Sequence, residues 1–384
     1  MLAMNYRGPF RIRVSRKPYP EILHPNDAIV RVTRSCICGS DLHLYHGLVP
    51  DTRVGTTFGH EFIGVVEEIG SNVQNLKPGD SVLVPFNIAC GTCAFCKQEL
   101  YGNCHESNPE ATAVGGIFGY SHTAGGYDGG QAEYVRVPYA DVGPTVIPDW
   151  MDPDDAALLT DVVPTGYQAA EMGGIQPGDT VVVFGAGPVG IMAAKCSRLF
   201  GAGRVIVIDH LEYRLDFVRR YAQCEAYNFK SLEDPVLFIK RTTDSLGADV
   251  CIDAVGADAA GSAMQTITGK KLLLQAGAAT ALHWAVNSVK KGGIISIVGV
   301  YGPTGNLIPI GNVVNKGLTI RANQTAVKRH LPKLISHVQN GILNPKEIIT
   351  HRIPLEEIAE AYHIFSAKRD GCIKPILIPP AARI

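Results

Sequence analysis

The sequence predicts an α/β chain of two domains, one mainly β and one built on a doubly wound parallel sheet. Three observations point there. Short β-branched runs, broken often by Gly and Pro, fill the chain up to about residue 155. A strand–helix–strand pattern begins at Thr180, and a Gly-x-Gly-x-x-Gly turn lies between its first strand and its helix.

Taken in order, Ala28-Ile29-Val30-Arg31-Val32 and Ser81-Val82-Leu83-Val84 read as strands of the β domain. Thr180-Val181-Val182-Val183-Phe184 is continuously apolar, as a parallel strand covered on both faces must be. A helix is predicted over 191–200, and Arg204-Val205-Ile206-Val207-Ile208 is the next strand. Further strands are predicted at 250–252, 294–298 and 318–320, a helix at 327–340 and a last strand at 376–378. The pattern after residue 322 returns to the first kind, so the domains are placed at 1–159 with 322–384, and at 160–321. The Gly-rich stretch 115–130 reads as a long loop near a binding site.

Composition narrows the function classes. With 384 residues and 46% hydrophobic content, each domain can bury a core of its own. A formal charge of -1 gives no electrostatic footprint for nucleic acid or an anionic membrane surface. No leader-like segment and no bilayer-length apolar run is found, so a cytoplasmic enzyme with a small-molecule substrate is expected. Ten cysteines in so long a chain do not suggest a disulfide scaffold; their clustering suggests metal in a reducing compartment. Cys36, Cys196, Cys224, Cys251 and Cys372 stand singly and read as small buried hydrophobes.

The chemistry lies in three motifs. Cys38 and His60 pair a soft thiolate with an imidazole, and with no further ligand clustered beside them they read as part of an open, catalytic zinc site. Cys90-x2-Cys93-x2-Cys96-x7-Cys104 offers four thiolates within one short segment, enough to close a tetrahedral structural zinc shell, with an iron–sulfur cluster as the alternative. Gly185-Ala186-Gly187-Pro188-Val189-Gly190 is the Rossmann dinucleotide turn in its proper strand–helix context. Asp209, ending the second strand, is placed to accept from the adenosine ribose hydroxyls and to repel a 2′-phosphate, which favours NAD over NADP; the alternative for Asp209 is a helix cap. His210 and Arg214 are cations beside it that soften this discrimination.

Gly59-His60-Glu61-x2-Gly64-x5-Gly70-x2-Val73 carries the zinc signature of the medium-chain alcohol dehydrogenases, which the chain resembles over nearly its whole length. The resemblance implies a GroES-like catalytic domain beside the Rossmann domain, one catalytic and one structural zinc, NAD, and a homodimer or homotetramer. Cys38 and His60 become catalytic zinc ligands, Glu61 a neighbour able to bind the metal transiently, and Asp41 the group that orients His60. Ser40 and His43 match the family's proton relay, Thr165 packs on the nicotinamide, Val298 and Val300 flank its carboxamide, and Lys374 meets the pyrophosphate. Phe86 corresponds to a wall of the substrate pocket, with a core phenylalanine as the alternative.

Where many members carry cysteine before Pro-Thr-Gly, this chain reads Asp161-Val162-Val163-Pro164-Thr165-Gly166. Asp161 as third zinc ligand, together with the run Gly129-Gly130-Gln131-Ala132-Glu133-Tyr134-Val135, resembles the formaldehyde dehydrogenase and dismutase-like branch; the alternative for Asp161 is a helix cap. An extra stretch at 257–280 is associated in that branch with tightly held NAD. The reaction implied is hydride transfer between an alcohol or aldehyde hydrate and NAD, the alternative being a secondary-alcohol or polyol dehydrogenase. A zinc-free reductase of the same superfold would lack the zinc residues, and a zinc-ribbon module would lack the glycine turn.

Overall fold

The computed structural model describes residues 1–111, 113–256, 279–301 and 308–382. Met1–Pro164 with Gln324–Ile384 forms one unit and Thr165–Asn323 the other, where the sequence places the boundaries at 159/160 and 321/322. Residues 257–278, nearly all of the predicted insertion, lie outside the described residues.

In the first unit a sheet runs in the order Ile349–Pro354, Lys374–Ile378, Ala28–Cys36, Phe62–Ile69, Ser81–Val84, Thr145–Val146, with Tyr134–Val137 also pairing Ala28–Cys36. Its centre is antiparallel, and its register positions everything that follows. Ser35 lies opposite Phe62, Cys36 opposite Ile376, and Phe62 opposite Val84. Cys38 therefore follows its strand by two residues, His60 precedes its strand by two, and Phe86 lies two past the end of its own. All three emerge at one edge of the sheet. One face of the unit packs Met4, Ile37, Leu42, Phe58, Tyr362 and Leu377; another packs Val30, Phe62, Val66, Val82 and Val135. The C-terminal segment thus completes the core under residues 37–44.

The second unit holds a six-stranded parallel sheet in the order Glu225–Asn228, Arg204–Asp209, Thr180–Phe184, Ala248–Asp253, Val289–Ile297, Thr319–Ala322. Numbered within the unit this is 3-2-1-4-5-6, the Rossmann order, with the glycine turn leaving strand 1 where the order reverses. Val181, Val182 and Val183 are fully buried, as the unbroken apolar run requires. The helix predicted over 191–200 starts earlier, at Pro188, and ends at Leu199. Proline at the first helical position loses no hydrogen bond, so the helix grows straight out of the glycine turn behind the Gly187 cap. The strand predicted at 294–298 is longer, Val289–Ile297. Among the described residues, no helix is long and apolar enough to cross a membrane.

Two glycines of the turn are fixed by space. Gly185 sits at φ +98°, and a Cβ on Gly190 would lie 2.0 Å from the Gly185 carbonyl oxygen. Gly190→Ala is therefore expected to force helix and strand apart, at a cost of about 1–3 kcal/mol. Chemical denaturation checks this: an unchanged midpoint would mean that the turn yields without strain.

Candidate metal centre and dinucleotide turn

The shared edge of the first unit gathers the donors. Cys38 caps the short helix Gly39–Tyr45, and His60 and Glu61 directly precede the strand Phe62–Ile69. Asp161 comes from a turn between the helices Pro153–Leu158 and Val162–Gly173. That turn is tied to the sheet edge where the Phe86 N–H donates to the Thr160 carbonyl at 3.2 Å. Cys38 Sγ lies 3.8 Å from Asp161 Oδ2, and His60 Nε2 lies 3.2 Å from the same oxygen. With Glu61, one ligand atom from each of the four lies within 4.8 Å of all the others.

This donor set fits zinc. Zinc bonds of about 2.0 to 2.3 Å give tetrahedral edges of roughly 3.3 to 3.8 Å, near the two separations measured to Asp161. Thiolate, imidazole and carboxylate are all zinc donors, and Cys38, His60 and Asp161 leave a fourth position free for a small ligand. Asp41 faces the far side of the imidazole, its Oδ1 3.3 Å from His60 Nδ1. Burial opposes protonation of His60, yet Asp41 and then Asp161 and Cys38 outweigh it and lift the imidazole pKa well above its ordinary value. Ser40 Oγ lies 3.2 Å from Cys38 Sγ and 3.5 Å from His60 Nε2, so its hydroxyl borders the same centre. His43 follows three residues later on that helix and is buried. The Phe86 ring stands edge-on to His60, centroids 6.0 Å apart, which places it at the wall of the centre.

Lys374 meets a carboxylate of its own unit. It is fully buried at the start of the strand Lys374–Ile378, with Nζ 2.6 Å from Glu61 Oε1 and 3.3 Å from the Ile37 carbonyl. The reason is register: Cys36 opposite Ile376 sets Lys374 beside the residues that follow Cys36. Burial alone would depress its pKa, but the Glu61 carboxylate outweighs this and raises it, so the ammonium persists. Glu61 Oε2 is buried and has no hydrogen-bond partner among the described residues.

Cys90, Cys93, Cys96 and Cys104 converge in a separate lobe, their sulfurs all within 4.8 Å of one another. The Cys90–Cys96 and Cys93–Cys104 sulfurs are 3.9 and 4.0 Å apart, close to the edge of a zinc–thiolate tetrahedron. Backbone N–H groups of Thr92 and Cys93 point at the Cys90 sulfur and that of Cys90 at the Cys104 sulfur, a setting suited to thiolates.

In the second unit, Gly187, Pro188 and Val189 open the helix at the turn, and Asp209 closes the adjacent strand. Asp209 Oδ2 accepts from the Ala186 N–H at 2.6 Å, and Oδ1 from those of His210 and Leu211. Burial pushes the Asp209 pKa up, but these bonds, His210 and the nearby Arg214 prevail and hold it well below the usual carboxylate range. The cap of the following helix is Leu211, so Asp209 is left facing the turn. Arg214 is buried, its Nε donating to the Tyr213 hydroxyl at 3.1 Å. Thr165 opens the unit and is buried. The Val298 and Gly299 N–H groups both donate to the Asp253 carbonyl, holding the Val298–Val300 stretch at a strand end. Sequence reasoning missed Asp253, whose carboxylate accepts from the Tyr301 hydroxyl and from the N–H groups of Val255 and Gly256. It also assigned no role to Gln131 or Tyr362; an uncharged polar residue inside a run that must be buried was the one available signal.

Comparison with known proteins agrees with this geometry. The family model for the alcohol dehydrogenase GroES-like domain matches residues 24–149, and that for zinc-binding dehydrogenase matches residues 188–271. The zinc-type alcohol dehydrogenase-like protein AdhB of Bacillus subtilis (strain 168) is 42% identical over 381 residues, 99% of this chain and 100% of its own. A glutathione-independent formaldehyde dehydrogenase of Pseudomonas aeruginosa is 38% identical over 309 residues, 77% of this chain and 74% of its own. Among solved structures, the alcohol dehydrogenase TADH from Thermus sp. ATN1 superposes with a TM-score of 0.84 at 34% identity, covering 99% of this chain and 100% of that one.

Two substitutions test the centre. Asp161→Ala is expected to lose the metal at Cys38 and His60 while the four-cysteine lobe keeps its own; elemental analysis showing two zinc ions per chain with full turnover would remove Asp161 from the ligand set. Lys374→Met leaves the Glu61 carboxylate buried without its cation and is expected to cost about 3–5 kcal/mol, read as a lowered denaturation midpoint.

Proposed function

Because this chain belongs to the zinc-dependent medium-chain alcohol dehydrogenase family and is an oxidoreductase of that family, we propose that it transfers hydride between an alcohol or aldehyde hydrate and NAD, with formaldehyde among its substrates. The observation that carries the finer reading is Asp161, a carboxylate 3.2 Å from His60 Nε2 and 3.8 Å from Cys38 Sγ. The likeness to a glutathione-independent formaldehyde dehydrogenase supports it. One catalytic and one structural zinc per chain complete the proposal.

Cys38, His60 and Asp161 would hold a zinc ion, which would supply the Lewis acidity for a substrate hydroxyl to lose its proton near neutral pH. NAD held by the glycine turn supplies the hydride acceptor. The rest falls to side chains. Ser40 Oγ, bordering two of the ligands, takes the substrate proton, and His43, three residues on along the same helix face, carries it outward. Phe86 forms an apolar wall against His60 and keeps water from that side. Thr165, Val298 and Val300 hold the nicotinamide, and the Asp209 carboxylate selects the unphosphorylated ribose. With an aldehyde hydrate as hydride donor the product would be the acid, and NAD retained by the chain would let a second aldehyde serve as the oxidant.

The test is a panel of formaldehyde, primary alcohols, secondary alcohols and polyols, with and without glutathione, assayed with NAD and NADP. Formaldehyde oxidation with NAD in the absence of glutathione is the expected result. Turnover confined to secondary alcohols or polyols would move the enzyme to another branch of the family. Asp209→Gly is expected to raise kcat/KM for NADP roughly tenfold, equivalent to removing about 1.4 kcal/mol of repulsion, and an unchanged NADP rate would exclude Asp209 from cofactor choice.

A further inference from the structure

Behind the metal centre runs a line of buried polar groups that the reaction does not itself require. Tyr362, on the C-terminal helix Ile358–Ala367, donates its hydroxyl to Gln131 Oε1 at 2.9 Å. Gln131 Nε2 donates to the Cys36 carbonyl at 3.1 Å and to Asp41 Oδ2 at 3.3 Å. Asp41 Oδ2 also accepts from the Cys38 N–H at 2.9 Å, while its Oδ1 faces His60 Nδ1 at 3.3 Å. Tyr362, Gln131 and Asp41 are each 0% exposed, and His60 is 3% exposed.

The direction of this line is fixed by chemistry. Tyr362 is buried, which pushes its pKa well above the ordinary value, so its hydroxyl remains a donor. An amide that accepts a hydrogen bond on its oxygen must turn its nitrogen to the other side, and there it meets two acceptors. The opposite orientation would set an amide oxygen against a carbonyl and a carboxylate. Two donors on Asp41 Oδ2 hold the carboxylate plane and leave Oδ1 3.3 Å from His60 Nδ1, two buried atoms with no other hydrogen-bond partner among the described residues. The backbone is shaped for this contact, since Gly59, next to His60, sits at φ +97° and a Cβ there would lie 2.5 Å from Gln131 Cγ. His60 has carboxylates at both ring nitrogens, Asp41 at Nδ1 and Asp161 at Nε2, so nothing in the ring alone decides which nitrogen carries the proton.

We propose that Gln131 and Tyr362 are positioning residues that, through Asp41, fix the His60 tautomer with hydrogen on Nδ1 and the Nε2 lone pair directed at the metal. This rests on the reading of Cys38, His60 and Asp161 as a zinc site. An imidazole held in that tautomer is a better and better-aimed ligand, and loss of such outer partners costs metal sites about 10- to 100-fold in affinity or activity.

The experiment measures zinc release to a colorimetric chelator from the full-length protein, with the four-cysteine zinc as internal reference. Tyr362→Phe is expected to release the second zinc about tenfold faster and Gln131→Leu up to about a hundredfold faster, with kcat lowered and the KM for NAD unchanged. Tyr45→Phe, which alters the ring packed 5.2 Å from Tyr362 but no member of the line, is expected to release at the wild-type rate. Folded Tyr362→Phe and Gln131→Leu proteins that release zinc at the wild-type rate would overturn the proposal; should Gln131→Leu fail to fold, Tyr362→Phe, which removes one oxygen, decides it. A wild-type chain holding two zinc ions yet oxidising nothing in the substrate panel would sink the functional reading and leave this one standing. A wild-type chain with a single zinc would overturn both.

Discussion

The first unit depends on the register of one strand. Ala28–Cys36 pairs with Phe62–Ile69 on one side and Lys374–Ile378 on the other, and Phe62–Ile69 carries the register on to Ser81–Val84. These pairings bring Cys38, His60, Glu61, Phe86 and Lys374 out at the same edge. A slip of one residue would exchange the two faces of the sheet and bury the wrong side chains, so the packing of Val30, Phe62 and Val82 enforces the geometry of the centre. The metal donors are placed by a hydrophobic core that none of them belongs to.

Charge supplies the second constraint. Cys38, Asp41, Glu61 and Asp161 are acidic groups crowded around one imidazole and are all buried, and Lys374 is a cation paired with Glu61 among them. Burying several anions against a single ammonium is costly unless further positive charge is supplied. A dication held where the Cys38, His60 and Asp161 donors meet would supply it, and Lys374 balances Glu61 beside them. The cluster is thus shaped for a cation in its electrostatics as well as in its distances.

What the sequence disclosed divides along locality. The glycine turn and the four-cysteine segment were legible because each lies within one short stretch, where spacing and geometry nearly coincide. Cys38 and His60 were legible as residue types suited to zinc, and Asp161 only through likeness to a family branch, since nothing local links it to residues 123 and 101 positions away. The pairing of Lys374 with Glu61 was not legible, because the two are 313 residues apart and are brought together by strand pairing. Gln131 and Tyr362 gave only a weak signal, an uncharged polar residue within a run that must be buried: a glutamine and a tyrosine are ordinary residues until the fold buries both and sets Gln131 between the Tyr362 hydroxyl, the Cys36 carbonyl and Asp41.

The same contrast in sequence distance separates the two donor clusters in time. The four cysteines close over a span of 14 residues, a loop short enough to form at little entropic cost while most of the chain is still unfolded. The donors at Cys38, His60 and Asp161 precede the second unit, but the cation that packs beside them follows it, with Lys374 337 residues from the Ile37 carbonyl it contacts. Contacts of such high order form late. The lobe can therefore form early, whereas the buried surroundings of Cys38, His60 and Asp161 are complete only once the C-terminal strand has docked and set Lys374 against Glu61.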